Sequence, residues 1–552
     1  MTAMESHIDR RTFTKGAAAT LASSAALAGA GLAGAPARAA EGPADAAIEW
    51  ADEADVVIVG TGCAGLSCAC TMSFEDLGTC LVLEVAPKDM RGGNSSATAG
   101  IVFCPNSVEA AKEYQGALNG DYEIPEDVFD AWAEEMCANL DWMRENFGCE
   151  FKPCGQGTWG IQGEYPFMPA AQECPSYNVT EGTTWNVLAS KFDELDIPVY
   201  YETRAVRLIT NAAGEVIGVS SEDGRNFKAK RGVLLATGGF ESDAEMMRTY
   251  LPAGYPDTIG KGSWYNRGDG IRMAQALGAQ LWHMSNVSGA ALGLLASPEH
   301  DEYSARTWTR WATHNYIWVD GRGRRFQDED VLYTELLRHG KQYRNGTFTE
   351  SSMPKGAWAI FGEDEFSSDG CIFSTSSFAS MKAVGDRFTT NQEGLDAGAI
   401  VKCDTIEDLA AATGIDAGQL QVTLDTYNEM ADANDDTLFG RGKAKNEYSE
   451  LIDLPGNEDD NVGREAFDLS RIDAPYYVTR LVGTVLNTQG GPKRSANCEV
   501  LDVFDQPIPR LYSAGEMGCE YPYIYNVGGN IAEAIASGRH AARVMATLDA
   551  WE

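Results

Sequence analysis

Short apolar stretches that end at glycines recur along this chain. The first, Val56–Val59, leads into a Gly-x-Gly-x-x-Gly pattern over 60–65, and a second apolar stretch, Cys80–Leu83, follows. This spacing predicts a strand, a glycine turn, a helix and another strand over 54–85. The stretch 232–236 runs into a Gly-Gly pair, which predicts a further buried strand of the same kind.

The pattern changes type between and beyond these stretches. Residues 106–147 are rich in Glu, Ala and Trp and predict helices, whereas residues 198–219 predict strands. Helical patterns return over 271–278, near 404–432 and over Ile531–Leu548, which we expect to be the last helix. Strands that alternate with helices in this way are typical of an α/β fold with a parallel sheet.

A change of composition divides the chain. From about 291 to 470, Trp, Tyr, Ser and Asp become common, and strand–helix alternation lies on both sides of this part. We therefore predict that an α+β capping domain, residues 291–470, is inserted into a Rossmann-like α/β domain. The two parts of that domain would be residues 50–290 and 471–552.

The glycines of the first turn have separate physical roles. Gly60 allows a tight turn, Gly62 lets the backbone approach a pyrophosphate, and Gly65 lets the next helix pack closely. The N-terminus of that helix offers N–H groups and a partial positive charge to phosphate. Glu84 lies nineteen residues after Gly65, where an acidic residue would hold a ribose hydroxyl. The pattern predicts a dinucleotide site, and the alternative is a purely structural glycine-rich turn.

The N-terminal residues have the pattern of an export signal. Arg10 and Arg11 precede an Ala/Gly-rich apolar run, and Ala37-Arg38-Ala39 is a small-x-small cleavage site. We predict that residues 1–39 are a twin-arginine signal peptide and that the mature protein lies outside the cytoplasm. No later segment has 18 uninterrupted apolar residues, so we expect no stable membrane insertion of the mature chain.

The chain is strongly acidic. It carries 81 Asp and Glu residues against 43 Lys and Arg residues, a net charge of −38. Such a charge repels nucleic acid and anionic lipid, which excludes both as partners. It favours docking to a basic redox partner, or it reflects only a well-solvated surface.

Thirteen cysteines are distributed unevenly. Cys63, Cys68 and Cys70 lie in or just beyond the glycine turn and are interpreted as packing thiols. Four others lie in a Gly/Pro-rich part: Cys137, Cys149, Cys154 and Cys174. These four could be free thiols, form disulfides or hold an iron–sulfur cluster, although their spacing matches no common cluster motif. The chain has no C-x-x-C-H motif, so it attaches no c-type haem itself.

Several further motifs fall in the order of one flavoprotein family. They are Val57-Ile58-Val59-Gly60-x-Gly62, Gly92-Gly93-Asn94-Ser95, Ala236-Thr237-Gly238-Gly239-Phe240, Arg325-Phe326-x-Asp328-Glu329, Tyr512-x-Ala514-Gly515-Glu516 and Gly528-Gly529-Asn530. Together they resemble the fumarate reductase/3-ketosteroid dehydrogenase class of flavoproteins. Within that class, length, export signal and cysteine content are most similar to those of the cardiac glycoside reductases.

This resemblance implies FAD as cofactor and hydride exchange between flavin N5 and a carbon near a carbonyl. The implied FAD-binding residues are Gly60, Gly62, Ala64, Gly65, Glu84, Gly93, Asn94, Ser95, Ala99, Gly100, Val206, Ala236, Thr237, Gly238, Glu516, Asn530 and Ile531. Of these, Asn94, Ser95, Ala99 and Gly100 would line the isoalloxazine ring. Members with covalent flavin carry a His where this chain has Gly93, so FAD should be noncovalent.

The chain also departs from the dicarboxylate reductases of that class. Tyr333 stands at the position of their proton-donating Arg, Leu486-Asn487 replaces a His pair, and Asn526 replaces another Arg. These cationic groups would neutralise substrate carboxylates, and a buried carboxylate without them costs several kcal/mol. We therefore expect a substrate that is uncharged around its reacting bond.

Tyr525 and Gly529 have the spacing of the carbonyl-polarising pair of the steroid dehydrogenases, and Tyr333 is the leading candidate proton donor. Tyr333 could instead pack on the flavin or the substrate, and three later residues could take its role: Arg338, His339 and Tyr343. Four aromatic residues could wall a substrate pocket or belong to the core: Trp308, Trp311, Tyr316 and Trp318.

These features predict an exported FAD-dependent reductase of an α,β-unsaturated carbonyl or lactone, such as the lactone ring of a cardiac glycoside. The alternatives are a 3-ketosteroid Δ1-dehydrogenase, a fumarate- or urocanate-type reductase and a flavoprotein that only relays electrons. No second dinucleotide fingerprint is complete. Electrons should therefore come from a separate haem protein of the cytochrome c type or a quinol-linked donor.

Overall fold

The computed structural model describes most of the chain after residue 47. The described residues are 48–98, 100–153, 168–251, 259–260, 262–288, 291–295, 305–307, 311–329, 341–344, 347–350, 356–373, 388–443, 445–446, 463–464, 466–526 and 528–551. Residues 50–552 form one unit. The predicted signal peptide, residues 1–39, lies outside the described residues.

An eight-stranded sheet, here called the cofactor sheet, has a parallel centre. Its main path runs through Glu499–Leu501, Pro507–Ser513, Asn226–Leu235, Asp52–Val59, Cys80–Leu83 and Val199–Tyr200, and Ala205–Thr210 and Val216–Ser221 extend it from Asn226–Leu235. The first strand, Asp52–Val59, pairs in parallel with Cys80–Leu83 on one side and Asn226–Leu235 on the other. Its apolar half is buried on both faces, which is why it lacks polar alternation. This arrangement confirms the predicted α/β fold with a parallel sheet.

Two helices pack against each other beside this sheet. The first, Cys63–Phe74, follows the glycine turn, and the last, Gly529–Ala546, closes the fold. The last helix begins and ends two residues earlier than predicted. Gly528, with a φ of 83°, turns the chain directly into the helix at its N-cap, which the apolar spacing does not reveal.

A seven-stranded second sheet lies in the middle of the sequence. Its strands are Ala305–Thr307, Ala291–Leu295, Tyr476–Val485, Ala357–Phe361 and Tyr316–Val319 in order, with Ile259–Gly260 and Val401–Cys403 also pairing with Tyr476–Val485. The predicted boundary at 470 and 471 assigned Tyr476–Val485 to the cofactor domain, whereas its strand pairs place it in the second sheet. A separate capping domain remains a prediction.

The aromatic residues of this part mostly contribute to the core. Tyr316 and Trp318 are buried on one strand of the second sheet, and the ring of Trp311 stacks on Tyr316 at 4.3 Å. Their burial supports the core interpretation over a pocket wall. Trp308 lies outside the described residues.

The remaining described elements are helices of at most 16 residues and the strands of the small sheets. The other α-helices are Val108–Asn119, Glu126–Cys137, Asn139–Phe147, Pro169–Gln172, Thr184–Asp193, Ala244–Tyr250, Asp269–Ala276, Glu363–Phe366, Asn391–Asp396, Ile406–Thr413 and Ala417–Asp432. Lys88–Met90 and Gly93–Ala97 are 3-10 helices. The strands of the small sheets are Val102–Phe103, Phe151–Pro153, Ser176–Val179, Leu281–Trp282, Val287–Ser288, Lys341–Arg344, Thr347–Glu350, Lys445–Asn446, Gly463–Arg464, Asn487–Thr488 and Gly491–Pro492. No helix among the described residues has both the length and the apolar character needed to cross a bilayer.

Gly538 on the last helix tests the close packing of the two helices. A Cβ at this position would overlap the carbonyl oxygen of Ala64, a backbone atom that cannot rotate away. We expect Gly538→Ala to lower the free energy of unfolding by about 1–3 kcal/mol, measured by denaturant titration. Gly116→Ala is the matched control, because Gly116 also lies in a helix but a Cβ there would meet only Phe129 at 4.0 Å. Equal stability of the two variants would contradict the close-packing argument.

Candidate active site

Three parallel strands of the cofactor sheet end at the same edge, and each leads into a turn of small residues. The turns begin at Gly60, Ala236 and Ala514. Gly60 has a φ of 110°, and a Cβ on it would overlap the carbonyl oxygen of Ala236. Only glycine therefore allows the first two turns to approach this closely.

The three turns border a cleft that encloses about 1710 Å³, part of it open to solvent. It is lined by fifteen of the predicted site residues: Gly60, Gly62, Ala64, Glu84, Gly93, Asn94, Ser95, Gly100, Ala236, Thr237, Gly238, Glu516, Tyr525, Asn530 and Ile531. The structure thus brings residues from both ends of the sequence into one cavity at the carboxyl ends of the strands, where α/β sheets bind ligands.

Gly62 and Gly65 have different surroundings at the helix that begins the site. A Cβ on Gly62 would meet Ser95 Oγ at 3.4 Å and the carbonyl oxygen of Gly92 at 3.8 Å, both ordinary contacts. Gly62 lines the cleft together with the first two residues of helix Cys63–Phe74, so the N-terminus of this helix opens onto the cleft. A Cβ on Gly65 would overlap the carbonyl oxygen of Gly60, so Gly65 serves the packing of this helix on the turn. The helix N-terminus offers the polarity that a pyrophosphate requires, and at this end the N–H of Cys63 donates to Ser95 Oγ at 3.0 Å.

Glu84 lies at the end of the second strand and is 5% exposed. Its carboxylate accepts hydrogen bonds from the N–H of Thr61 at 3.0 Å and from the N–H of Ala86 at 2.8 Å, and the Thr61 hydroxyl also donates to it. These donors hold an acceptor at the cleft wall, which fits the predicted ribose contact. Thr61 was missed because it occupies a variable position of the glycine motif.

Val206, which the family resemblance predicts as an FAD-binding residue, is not among the described residues that line the cleft. It lies on strand Ala205–Thr210 with 45% of its side chain exposed. Because side chains alternate between the two faces of a strand, the preceding Ala205 is the buried residue that lines the cleft, together with Thr203 and Arg204.

Arg204 was not predicted as a site residue. Its guanidinium forms a bidentate pair with Asp269, with both N–O distances at 2.8 Å. Asp269 is the first residue of helix Asp269–Ala276, which follows Gly268. The sequence pattern predicts a helix here but does not reveal that Asp269 pairs with Arg204. Of the described residues that line the cleft, Arg204 is the only basic one, and its charge is paired.

Tyr525 and Gly529 differ in their access to the cleft. Tyr525 lines it, and the phenol oxygen accepts a hydrogen bond from the N–H of Gly528 at 3.0 Å. The N–H of Gly529 donates to the carbonyl oxygen of Asn526 at 3.3 Å, and Gly529 lies outside the lining. The second donor of the predicted carbonyl-polarising pair is therefore engaged within the chain, since this N–H closes the turn that leads into the last helix.

Neutral side chains occupy the positions at which the dicarboxylate reductases carry cations. Leu486 and Asn487 line the cleft, and Asn487 Oδ1 accepts hydrogen bonds from Asn530 Nδ2 at 3.0 Å and from the Ser288 hydroxyl. Asn526 is buried beside the cleft and donates to Gln115 Oε1 at 2.9 Å. The cleft-lining side chains Leu486, Asn487 and Asn530 form a wall without charge, here called the uncharged wall.

Some predicted residues lie outside the described residues: Ala99, Cys154, Tyr333, Arg338 and His339. The side chain of Tyr343 is not described either. Cys137, Cys149 and Cys174 are unpaired thiols, and burial raises the pKa of Cys137 and Cys149 to about 11 and that of Cys174 to about 12. Within the described ranges, no group of three or more His, Cys, Asp or Glu residues could hold a metal ion.

The model of the family described as FAD binding domain matches residues 55–531. The chain belongs to this family. FAD is therefore its cofactor, and the glycine turn, the open helix N-terminus and Glu84 fit the pyrophosphate and ribose of that group. The chain is an FAD-dependent oxidoreductase.

Individual relatives are more distant. The 3-oxosteroid 1-dehydrogenase of Mycolicibacterium smegmatis is 27% identical, with 89% of this chain and 96% of that protein covered. The digoxin reductase of Eggerthella lenta is 26% identical, with 100% of this chain and 99% of that protein covered. A solved structure of 3-ketosteroid delta1-dehydrogenase from Sterolibacterium denitrificans, in complex with 1,4-androstadiene-3,17-dione, has a TM-score of 0.64 at 21% identity, with 90% of this chain and 99% of that chain covered. This last similarity shows the fold.

Glu84→Gln tests the predicted ribose contact. A hydrogen bond to a charged group contributes roughly 1.5–3 kcal/mol, so we expect the Kd for FAD to rise by about 10- to 100-fold. The measurement is a titration of apoprotein with FAD followed by flavin fluorescence. Glu53→Gln is the control, because Glu53 is a half-exposed residue of the first strand outside the cleft lining. An unchanged Kd in the Glu84 variant would contradict the assignment.

Proposed function

We propose that this protein is an exported reductase that uses FAD to reduce an α,β-unsaturated carbonyl or lactone on a large, mostly neutral molecule. The uncharged wall formed by Leu486, Asn487 and Asn530 carries this proposal. Arg204, the one basic residue in the described lining, is already paired with Asp269. A dicarboxylate bound here would lose hydration without gaining a counter-charge from the described lining, at a cost of several kcal/mol.

Tyr525 supports a carbonyl acceptor. Bound reduced FAD supplies hydride to the β-carbon, and the substrate carbonyl then needs a hydrogen-bond donor as negative charge develops on its oxygen. The phenol oxygen of Tyr525 accepts from the Gly528 N–H at 3.0 Å, which orients the hydroxyl and strengthens it as a donor. Tyr525 would therefore hold the carbonyl oxygen. Tyr333 would protonate the α-carbon, directly or through a water molecule.

The relatives support the same class of substrate. The names of the two relatives above refer to an oxosteroid and to digoxin. A cardiac glycoside is an unsaturated lactone on a large neutral body, as the proposal requires. A 3-ketosteroid Δ1-dehydrogenase is the second candidate, favoured by the 27% identity to 3-oxosteroid 1-dehydrogenase. It would use the same donors in the reverse direction.

Export and the electron donor also belong to the proposal. The twin-arginine pattern at Arg10 and Arg11 supports transport of the folded, FAD-loaded protein. The net charge of −38 favours a basic cytochrome c-type donor, with a quinol-linked donor as the alternative.

A substrate panel tests the proposed acceptor. The photoreduced holoenzyme is mixed by stopped flow with fumarate, urocanate, a steroid enone and a cardenolide, and reoxidation of FAD is followed by absorbance. We expect the neutral acceptors to reoxidise FAD at least about 100-fold faster than fumarate, because nothing in the described wall pairs with a carboxylate. Fast reoxidation by fumarate alone would contradict the proposal. A dye-linked aerobic assay with a saturated 3-ketosteroid identifies the dehydrogenase alternative.

Tyr525→Phe tests the carbonyl donor. Loss of one donor to a developing oxyanion typically slows the chemical step by about 10²- to 10³-fold. We expect that decrease in kcat with the best acceptor of the panel. Tyr523→Phe is the matched control, since Tyr523 is a near neighbour that does not line the cleft and packs against Tyr122. An equal effect of the two substitutions would contradict the assignment.

Tyr333→Phe tests the proton donor separately. If Tyr333 protonates the α-carbon, the variant should lose at least about tenfold in kcat. The solvent deuterium isotope effect should also rise as proton transfer becomes rate-limiting. Parent rates in both tyrosine variants would show that other groups hold the carbonyl and deliver the proton.

A further inference from the structure

Two carboxyl groups lie together beside the cleft, and the proposed reduction does not use them. Glu241 follows the second glycine turn and is 2% exposed, whereas Glu516 follows the third turn and lines the cleft. A Cβ on Gly239 would overlap Oε2 of Glu241 and Oε1 of Glu516. These two oxygens therefore border the same small space.

Neutral groups surround this carboxyl pair, defined as Glu241 and Glu516. Nδ2 of Asn94 bridges them, donating to Oε1 of Glu241 at 2.8 Å and to Oε2 of Glu516 at 3.0 Å. Asn266 Nδ2 donates to Oε1 of Glu241 at 2.8 Å. Thr488 donates to Oε2 of Glu241 through its hydroxyl at 3.2 Å and its N–H at 3.4 Å.

Ionisable side chains on the adjoining segments have other partners. Asp243 pairs with Arg272 at 2.8 Å, Arg267 donates to the carbonyl oxygen of Trp264, and Arg494 contacts Glu520. Burial raises the pKa of Tyr265, and the nearby carboxylates of Glu84, Asp89 and Glu202 raise it further. In the part of the chain that the structure describes, the hydrogen bonds to the pair thus come from groups without charge.

Two neighbouring carboxylates that lack a counter-ion cannot both remain ionised without strong repulsion. Burial raises the pKa of Glu241, and burial together with the nearby Glu241 carboxylate raises the pKa of Glu516 well above its usual range. The upward shifts of both pKa values indicate that the pair keeps a proton at neutral pH.

The position of the pair connects it with the flavin. Asn94, which bridges the carboxyls, lines the cleft and belongs to the loop that the family resemblance predicts to line the isoalloxazine ring. Thr488 follows Asn487, a residue of the uncharged wall. A negative charge added to the ring would therefore act on the pair through a buried environment, where charges are poorly screened.

We propose that Glu241 and Glu516 share one proton while bound FAD is oxidised and take up a second proton when FAD is reduced. Reduction then consumes two electrons from the external reductant and two protons. One proton converts FAD to its anionic reduced form, and the other joins the carboxyl pair. The proposal rests on FAD binding and is independent of which acceptor reoxidises the flavin.

The pH dependence of the midpoint potential tests this uptake. The potential of the holoenzyme is measured by spectroelectrochemistry from neutral to mildly alkaline pH, without substrate. Each proton taken up with two electrons contributes about 30 mV per pH unit. We expect about 60 mV per pH unit in the parent and about 30 mV per pH unit in the Glu241→Gln/Glu516→Gln double variant. A slope of about 30 mV in the parent, or the parent slope in the double variant, would overturn the proposal.

Glu520→Gln is the matched control. Glu520 is also buried, and burial raises its pKa to about 7, but it faces Arg494 and does not line the cleft. We expect this variant to keep the parent slope. Loss of the steep slope in Glu520→Gln would show that the carboxyl pair is not the group that takes up the second proton.

Infrared spectroscopy gives a second readout that does not depend on the double variant folding. The reduced-minus-oxidised difference spectrum of the parent should gain a protonated-carboxyl C=O band, and Glu241→Gln should diminish it. A parent spectrum without this gain would overturn the proposal. Since no substrate is present in this experiment, its outcome does not test the proposed acceptor. The substrate panel, in turn, does not test the carboxyl pair.

Discussion

Close backbone contact at three glycines determines where the cofactor can bind. Gly60 lies against the carbonyl oxygen of Ala236, Gly65 against that of Gly60, and Gly538 against that of Ala64. These contacts bring two strand ends and two helices together at one edge of the sheet. Backbone oxygens cannot move aside as flexible side chains do, so a methyl group at any of these positions must displace an element. The shape of the cleft follows from this packing.

Several buried carboxylates in the described residues pair with a guanidinium, whereas the carboxyl pair does not. Arg494 contacts Glu520 and Glu533, and Arg325 forms N–O contacts of 2.8 Å with both Glu329 and Asp436. In each network a guanidinium compensates carboxylates, as burial of charge requires. Glu241 and Glu516 instead share neutral amide and hydroxyl donors. Since no guanidinium or ammonium in the described ranges contacts them, a shared proton would reduce their mutual repulsion and make them responsive to charge in the cleft.

The sequence predicted features that depend on local spacing. The glycine turn and the parallel strands follow from apolar runs and the glycines near them, whereas most of the predicted cleft residues came from the family resemblance. The start of the last helix, which is set by a turn, was placed two residues away. The Arg204–Asp269 and Glu241–Glu516 contacts join segments distant in sequence, and no local pattern pairs them. The partners of strand Tyr476–Val485 also lie far along the chain, so local spacing does not predict its place in the second sheet.

Charge acts on an acidic substrate at two separate stages. The net charge of −38 repels small dianions during approach, and this long-range effect weakens as salt screens it. The uncharged wall at Leu486 and Asn487 acts only after entry, where the loss of hydration is not offset by a cation. Added salt should relieve the first effect and leave the second. Discrimination against dicarboxylates that persists at high ionic strength would therefore originate in the cleft rather than in the surface.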